Sequence, residues 1–460
     1  MENTNKQYDD LILGFGKAGK TLAGTLAAAG RKVALVERSS AMYGGTCINV
    51  ACIPTKSLEH AARLSAAMGG DFTARSARYA AAVAEKRRLT AMLRQKNYDK
   101  VASSGAEVLD GEASFVDAHT VRILHADGTH ADVTAARIFL NTGAVPVIPA
   151  IPGLSESRFV YTSESMMERE TLPEKLVIIG GGYIGVEFAS YYANFGAQVT
   201  VIQDGEAFLP REDAEVAASV LASLEARGIE VLRSAAVLRV RDEDGAARVD
   251  VKTAAGERTL SADAVLVATG RRPNVDGLNL AAAGVALTAR GGVQVDEHLR
   301  TSVPHIWAMG DVAGGLQFTY ISLDDFRIVK SQLLGDGART TQNRGAVPYS
   351  VFLDPPFSRV GLTEAEAAAK GYKVKVAKLP AAAIPKAHVL QKPTGMLKAV
   401  VDADTGLVLG AHLFCAESQE VINLVKLAID AKVPYTALRD AVYTHPTMSE
   451  ALNDLFGAVK

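Results

Sequence analysis

The apolar positions of this chain fall into a pattern that occurs twice. Asp10-Leu11-Ile12-Leu13 is a short strand-like run that breaks into Gly14-Phe15-Gly16-Lys17-Ala18-Gly19. An Ala/Leu run with helical character follows, then Lys32-Val33-Ala34-Leu35-Val36, ending at Glu37. Short apolar runs bounded by glycine predict buried strands, and the longer run between them predicts a helix. The same unit returns as Leu176-Val177-Ile178-Ile179, Gly180-Gly181-Gly182-Tyr183-Ile184-Gly185, a helix, and Gln198-Val199-Thr200-Val201-Ile202 ending at Gln203. The copies are in register: 166 residues separate Gly14 from Gly180 and Glu37 from Gln203, and each end-of-strand residue stands 23 positions after its first glycine.

A strand, a Gly-x-Gly-x-x-Gly turn and a helix form a dinucleotide-binding unit for physical reasons. The first glycine makes the tight turn, the second lets backbone approach a pyrophosphate, and the third lets helix and strand pack closely. The helix start then offers N–H groups and a positive dipole to phosphate. Two such sites are predicted, at Gly14, Gly16 and Gly19 and at Gly180, Gly182 and Gly185. Glu37 suits the first as an acceptor for ribose hydroxyls. In the second, Gln203 replaces the acidic residue that selects NAD, Asp204 follows it, and no arginine adjoins to receive a 2′-phosphate. Gly185 at the third position leans toward NADH, with NADPH left open.

Further runs echo each other downstream. Ile138-Phe139-Leu140-Asn141-Thr142-Gly143-Ala144 matches Val265-Leu266-Val267-Ala268-Thr269-Gly270-Arg271 as an apolar strand ending in Thr-Gly. The Val-, Thr- and Gly-rich segments between read as short antiparallel strands. After Arg272-Pro273-Asn274, Ile306-Trp307-Ala308-Met309-Gly310-Asp311 is another strand ending in a turn. From about Val347 the pattern changes to strands and helices without a glycine fingerprint, which reads as a separate domain.

Length and charge narrow the class. A chain of 460 residues exceeds one compact core, so three or four structural units are expected. Hydrophobic residues at 48% and charged residues at 22% are an ordinary globular balance. A formal net charge of -2 supplies no long-range field for nucleic acid or acidic membrane. No stretch has the apolar length of a membrane span. Met1 to Asp10 is polar, with neither a basic n-region nor an apolar h-region, so a cytoplasmic chain is expected.

Three cysteines cannot build a stabilising disulfide framework. Cys415 stands alone in an apolar strand and reads as a buried structural thiol. Cys47 and Cys52 form a C-x4-C pair within Gly44-Gly45-Thr46-Cys47-Ile48-Asn49-Val50-Ala51-Cys52-Ile53-Pro54-Thr55-Lys56. That spacing is not a zinc knuckle, and no second Cys/His pair lies nearby, so no metal site is expected. Five residues of ideal helix rise about 7.5 Å, whereas a disulfide needs Cα atoms about 4.4–6.8 Å apart. A bond between the two sulfurs therefore requires a distorted turn near a helix start, where a thiol's pKa also falls.

The Gly-Gly-Thr-Cys…Cys-Ile-Pro-Thr-Lys segment, both fingerprints, Gly310-Asp311 and His445-Pro446-Thr447…Glu450 together resemble the class I pyridine nucleotide-disulfide oxidoreductases. That family includes dihydrolipoamide dehydrogenase, glutathione reductase and mercuric reductase, and the resemblance spans essentially the whole chain. Gly14 to Thr21, Ala41-Met42-Tyr43-Gly44-Gly45 and Leu316 to Ser322 are most similar to the bacterial reactive-chlorine-resistance flavoproteins, relatives of mercuric reductase.

The resemblance implies an α/β fold with two Rossmann-like domains, for FAD and NAD(P), and an α+β C-terminal dimerisation domain. The implied segments are 1–152 for FAD, 153–272 for NAD(P), 273–345 completing the FAD site and 346–460 for the interface. It implies a homodimer that passes electrons from NADH or NADPH through FAD and a Cys47–Cys52 disulfide to a small acceptor. That acceptor would be a metal ion such as Cu(II) or Hg(II), or oxygen, in oxidative stress defence. Cys52 would face the flavin and Cys47 would meet the acceptor. Lys56 would sit beside the flavin and pair with Glu187. Tyr183 would cover the flavin, with ordinary packing at the helix start an equal alternative, and Asp311 would bind its ribityl chain. Gly45, Thr46, Gly143, Gly270 and Gly310 would complete the nucleotide sites. His445, extended before a helix opened by Pro446 and carrying Glu450, would serve the disulfide of the partner subunit as a base.

Three departures bear on the acceptor and the turn. Ala51 replaces the family's usual glycine. The chain ends Leu455-Phe456-Gly457-Ala458-Val459-Lys460 where mercuric reductases carry a cysteine pair, and it starts without their metal-binding domain. Both favour a small acceptor over thiol hand-off of Hg(II). The His445–Glu450 dyad, which mercuric reductases lack, keeps dihydrolipoamide dehydrogenase as the alternative, ahead of a glutathione-type reductase.

Overall fold

The first apolar run becomes β1 (Lys6–Leu13), exposed at its start and buried from Asp10 onward. α1 (Lys17–Ala28) follows, burying Ala18, Gly19, Leu22, Ala23 and Leu26 on one face at the 3–4 residue spacing of a helix packed on a sheet. β2 (Val33–Glu37) is buried at every position, as expected of a parallel strand covered on both faces. The computed structural model describes residues 6–460; the polar lead before Lys6 lies outside the described residues. The described chain forms two compact units, each assembled from three stretches of sequence.

One unit comprises the described part of 1–57 with 82–147 and 270–344. After α2 (Thr46–Asn49) come α3 (Cys52–Met68) and α4 (Phe72–Ala102), whose residues 58–81 belong to the other unit, then β3 (Glu107–Asp110), β4 (Glu112–Phe115), β5 (Thr120–Leu124) and β6 (His130–Leu140). The sheet order is β3-β2-β1-β6-β5-β4, and strand Ile306–Ala308 also pairs with β6. β3, β2, β1, β6 and 306–308 run parallel, and β4, β5 and β6 form an antiparallel meander. This is a Rossmann-like half with the antiparallel strands expected from its Val- and Thr-rich stretches.

The other unit comprises 58–81, 148–269 and 345–460. It contains a five-stranded parallel sheet in the order 230–232, 198–202, 175–179, 264–267, 160–162. A three-stranded antiparallel sheet over 236–262 follows the second fingerprint. The C-terminal region is a five-stranded antiparallel sheet with helices Ser418–Asp430 and Ala451–Gly457 packed into one apolar cluster. The α/β class, the two Rossmann-like folds and the α+β C-terminal domain are all present.

One side chain ties the first unit together. Asn141, just past β6, is 5% exposed. Its Oδ1 accepts the Gly19 N–H at 2.9 Å, its Nδ2 donates to Met309 O at 2.6 Å, and its own N–H donates to Leu13 O at 2.8 Å. Asn141→Ala leaves a buried donor and a buried acceptor unpaired, each worth about 1–3 kcal/mol. Denaturant unfolding is expected to show a loss of roughly 2–5 kcal/mol; wild-type stability would remove Asn141 from this role.

Candidate active site

The first fingerprint is shaped by Asn141. A Cβ on Gly14 would lie 2.4 Å from Asn141 O, and one on Gly16 would lie 2.3 Å from Asn141 Oδ1. Gly14 also takes φ +103°, which L side chains rarely adopt. A Cβ on Gly19 would meet Gly14 O at 2.6 Å, so helix and strand touch there. α1 starts from Gly16 with no side-chain cap and no acidic residue in its first turn. That start suits a phosphate.

Glu37 ends β2 almost fully buried, accepting from Phe15 N at 3.0 Å and Ser39 N at 3.3 Å. Burial raises its pKa and these hydrogen bonds oppose the rise. A fixed carboxylate beside a glycine turn and an uncapped helix start is the donor and acceptor set that an adenine dinucleotide such as FAD requires. Gly45 packs so closely that its Cβ would stand 2.7 Å from Gly16 Cα, and a Cβ on Gly143 would stand 3.4 Å from Thr46 Oγ1. Asp311 lies in the short turn Gly310–Ala313, where burial pushes its carboxyl up to about 6. Gly310 N donates to Asp325 Oδ2 at 2.7 Å, fixing that turn. Gly14, Gly16, Gly19, Glu37, Gly45, Thr46, Gly143, Gly310 and Asp311 thus share one unit.

The cysteine turn is broken as its spacing requires. α2 ends at Asn49, Val50 takes φ −138°, and α3 begins at Cys52. Asn49 holds the break, donating to Tyr43 O at 3.0 Å and Gly45 O at 2.9 Å and accepting from Arg94 Nε at 2.9 Å. Ala51 is not among the left-handed residues, so a methyl group there strains no backbone.

Cys47 and Cys52 are both half-buried free thiols joined by a hydrogen bond. Cys52 Sγ also lies 3.5 Å from Thr319 Oγ1, at the first residue of helix Thr319–Leu334. The hydrogen bond from Cys47, helped by Thr319 and by the Lys56 charge against burial, pulls Cys52 down to about 6. Cys47 is pushed up by the same hydrogen bond and by burial. The pair therefore shares one proton, with the thiolate on Cys52. Lys56 stands one helical turn after Cys52 on α3.

The second fingerprint repeats the close packing. A Cβ on Gly180 would lie 2.4 Å from Ala268 O, and one on Gly185 would lie 2.0 Å from Gly180 O. Gly182 starts helix Tyr183–Phe195 without a side-chain cap, and a Cβ on it would meet open space. Gln203 is turned into its own loop, with Nε2 donating to Ala207 O at 2.5 Å and Gly205 O at 3.3 Å. Glu187 accepts from Phe352 N at 2.8 Å.

Tyr183 donates its phenol to Glu212, which also accepts from Tyr349 at 2.7 Å and has Arg359 Nη1 at 3.6 Å. Glu212 was not singled out from sequence; a buried carboxylate beside tyrosines far apart in the chain leaves no local pattern. Gly270, at φ +108°, lies in the stretch that belongs to the first unit.

His445 Nδ1 lies 2.8 Å from Glu450 Oε2, with the His445 side chain 71% exposed. The helix expected from Pro446 begins only at Ala451, with Glu450 at its N-cap. Thr447 N donates to Glu450 Oε1 at 3.0 Å and Glu450 N donates to Thr447 Oγ1 at 3.3 Å, closing a turn ahead of the helix. Cys415 lies in the C-terminal core, and burial raises its thiol to about 12. No helix among the described residues is long and apolar enough to cross a membrane.

The depressed Cys52 pKa places its thiolate above pH about 6 and removes it as pH falls lower. The 240 nm thiolate absorbance of reduced enzyme, corrected with Cys52→Ser, is expected to fall away near that pH. A thiolate that forms only above pH about 8, as for a free cysteine, would contradict this geometry.

Residues 8–325 match the pyridine nucleotide-disulphide oxidoreductase domain, and residues 347–456 match the dimerisation domain of the same family. RclA of Escherichia coli (strain K12) is 47% identical over 99% of this chain and 100% of its own length. The mercuric reductase of Bacillus cereus is 35% identical over 97% of this chain and 71% of its own length. The dihydrolipoyl dehydrogenase of Geobacillus stearothermophilus is 32% identical over 96% and 94%. A solved Cu(II) complex of the HOCl-induced flavoprotein disulfide reductase RclA from Escherichia coli superposes with a TM-score of 0.93 over 99% of this chain and 100% of that one. Two glycine turns, a carboxylate at the first strand end and a thiol pair at a helix start therefore agree with the matched domains: the chain belongs to the pyridine nucleotide-disulphide oxidoreductase family, as an FAD-dependent enzyme that uses a pyridine nucleotide.

Proposed function

We propose that this enzyme reduces a small acceptor, Cu(II) or Hg(II) or oxygen, with electrons from NADH or NADPH that leave through Cys47 and Cys52, in cytoplasmic defence against reactive chlorine. The whole-chain likeness to RclA, whose solved structure holds Cu(II), carries this reading. When bound, FAD supplies the two-electron chemistry that links the nicotinamide to the disulfide. NADH is the favoured donor, from Gly185 and from Asp204 beside Gln203.

The protein's own groups have the following roles. Segments 1–152 and 273–345 build the flavin site, 153–272 the nicotinamide site and 346–460 the interface. Glu37 and Asp311 would hold the nucleotide and ribityl hydroxyls, and the α1 N-terminus would receive the pyrophosphate. Lys56 would lie beside the bound flavin, and Tyr183 would shield its nicotinamide side. Cys52 carries the thiolate next to the cofactor, and Cys47 attacks the acceptor. The dimerisation-domain match supports a homodimer. In that dimer the partner subunit's His445, its tautomer set by the carboxylate beside it, takes the Cys47 proton.

The His445–Glu450 contact favours a second reading, a dihydrolipoamide dehydrogenase. An acceptor screen with Cu(II), Hg(II), oxygen, lipoamide and glutathione disulfide, run with NADH and NADPH in parallel, separates the two. The expected outcome is metal-ion reduction exceeding lipoamide turnover. Cys47→Ser should keep nicotinamide-driven bleaching of the flavin while losing acceptor turnover. Dihydrolipoamide oxidation well above metal reduction would reverse the order, and full activity in Cys47→Ser would remove the dithiol from the route.

A further inference from the structure

Lys20 follows the third glycine of the first fingerprint, and nothing in the function above uses it. It is the fourth residue of α1 and is half-buried. Its Nζ donates to Gly44 O at 3.0 Å in a part-buried position. Gly44 adjoins Gly45, the N-cap of α2, and a Cβ on Gly44 would lie 3.0 Å from Ile48 Cγ1 of that helix. Cys47 is the second residue of α2. The ammonium is thus tethered at the start of the short helix that carries the outer sulfur.

That tether keeps a cation where it is costly. Burial pulls Lys20 down to about 8, and the like charges of Lys17 on its own helix and Lys100 on α4 act in the same sense. Cys47 acts in the opposite sense, favouring the charged lysine. The relation is reciprocal: Lys20 favours the Cys47 thiolate, against the Cys52 hydrogen bond and burial. Thr319 hydrogen-bonds to both sulfurs and favours either thiolate, so it does not choose between them. Lys56 favours the Cys52 thiolate, and the Tyr320 phenol feels the Cys52 charge.

Two sulfurs share one proton, and the sulfur without it is the nucleophile. We propose that Lys20 is a positioning residue for Cys47, its tethered ammonium stabilising the form in which Cys47 is the thiolate and Cys52 holds the proton. In that shift the Cys47 S–H bond breaks, the Cys52 S–H bond forms, and no electrons are transferred. The inference rests on the reading of Cys47 as the sulfur that meets the acceptor. It sets how much thiolate Cys47 carries before any base acts; the partner subunit's His445 would take the proton from Cys47 where the pair still holds it there. Above pH about 8 Lys20 loses its proton and the bias disappears.

The test uses FAD-loaded enzyme reduced with dithiothreitol, desalted without oxygen and pulsed with iodoacetamide from pH 6 to 9. Alkylation of Cys47 and Cys52 is then counted separately by peptide mass spectrometry. Lys20→Met and Lys20→Gln are expected to slow Cys47 alkylation about three- to tenfold at pH 7 and to raise the Cys52 share. Lys20→Arg, which keeps the charge, should retain the wild-type rate at pH 7 and lose the wild-type inflection near pH 8. Wild-type Cys47 rates in the Met and Gln variants would overturn the proposal. So would an Arg variant as slow as Met, because that pattern belongs to packing. No acceptor is present, so the result stands apart from whether turnover passes through Cys47. Acceptor activity surviving in Cys47→Ser would sink the functional reading alone.

Discussion

The first unit of this protein depends on one buried amide. Asn141 uses both ends of its side chain, accepting from Gly19 on α1 and donating to Met309 before the Gly310–Asp311 turn. Its carbonyl and Oδ1 occupy the space that a Cβ on Gly14 or Gly16 would need. Three segments distant in sequence are therefore placed against each other by groups that cannot stay buried unpaired. The glycines, the uncapped helix start and Asp311 take their positions from that contact. The second nucleotide fold has only Ala268 at the matching place, where the backbone carbonyl alone packs against Gly180. The two folds share a backbone device but not the side-chain clamp.

On the same unit sits a thiol pair whose chemistry follows from a broken helix. With Val50 out of helical geometry, α2 and α3 each present one cysteine, and the two sulfurs reach each other. Thr319 serves both sulfurs, the Lys56 charge favours the Cys52 thiolate, and the Lys20 charge favours the Cys47 thiolate. Opposed influences on one shared proton keep both sulfurs usable, as the proposed route through both requires.

How much of this was legible in the sequence depended on how local each constraint is. Both fingerprints and the C-x4-C turn could be read because tight turns and close backbone approach restrict residue type over a few positions. The need for a break between Cys47 and Cys52 followed from helix rise alone, and Val50 supplies it. Asn141 follows the apolar strand that ends in Thr-Gly, yet its role depends on Met309, far along the chain. Tyr183 read equally well as simple packing, because its partners Glu212 and Tyr349 come from separate segments. Gln203 kept its place at the strand end, but its amide is taken up by the 205–207 loop. Pro446 suggested a helix start, whereas the reciprocal bonds between Thr447 and Glu450 postpone the helix to Ala451.

The central claim is that reducing equivalents from nicotinamide come to rest on Cys47 and Cys52. Anaerobic titration of the enzyme with NADH, followed by thiol alkylation under denaturing conditions and peptide mapping, tests it most directly. The account predicts two NADH-dependent alkylations per chain, at Cys47 and Cys52, with Cys415 labelled equally before and after reduction. No gain at Cys47 and Cys52 in enzyme that starts oxidised, or a gain at Cys415 instead, would contradict it.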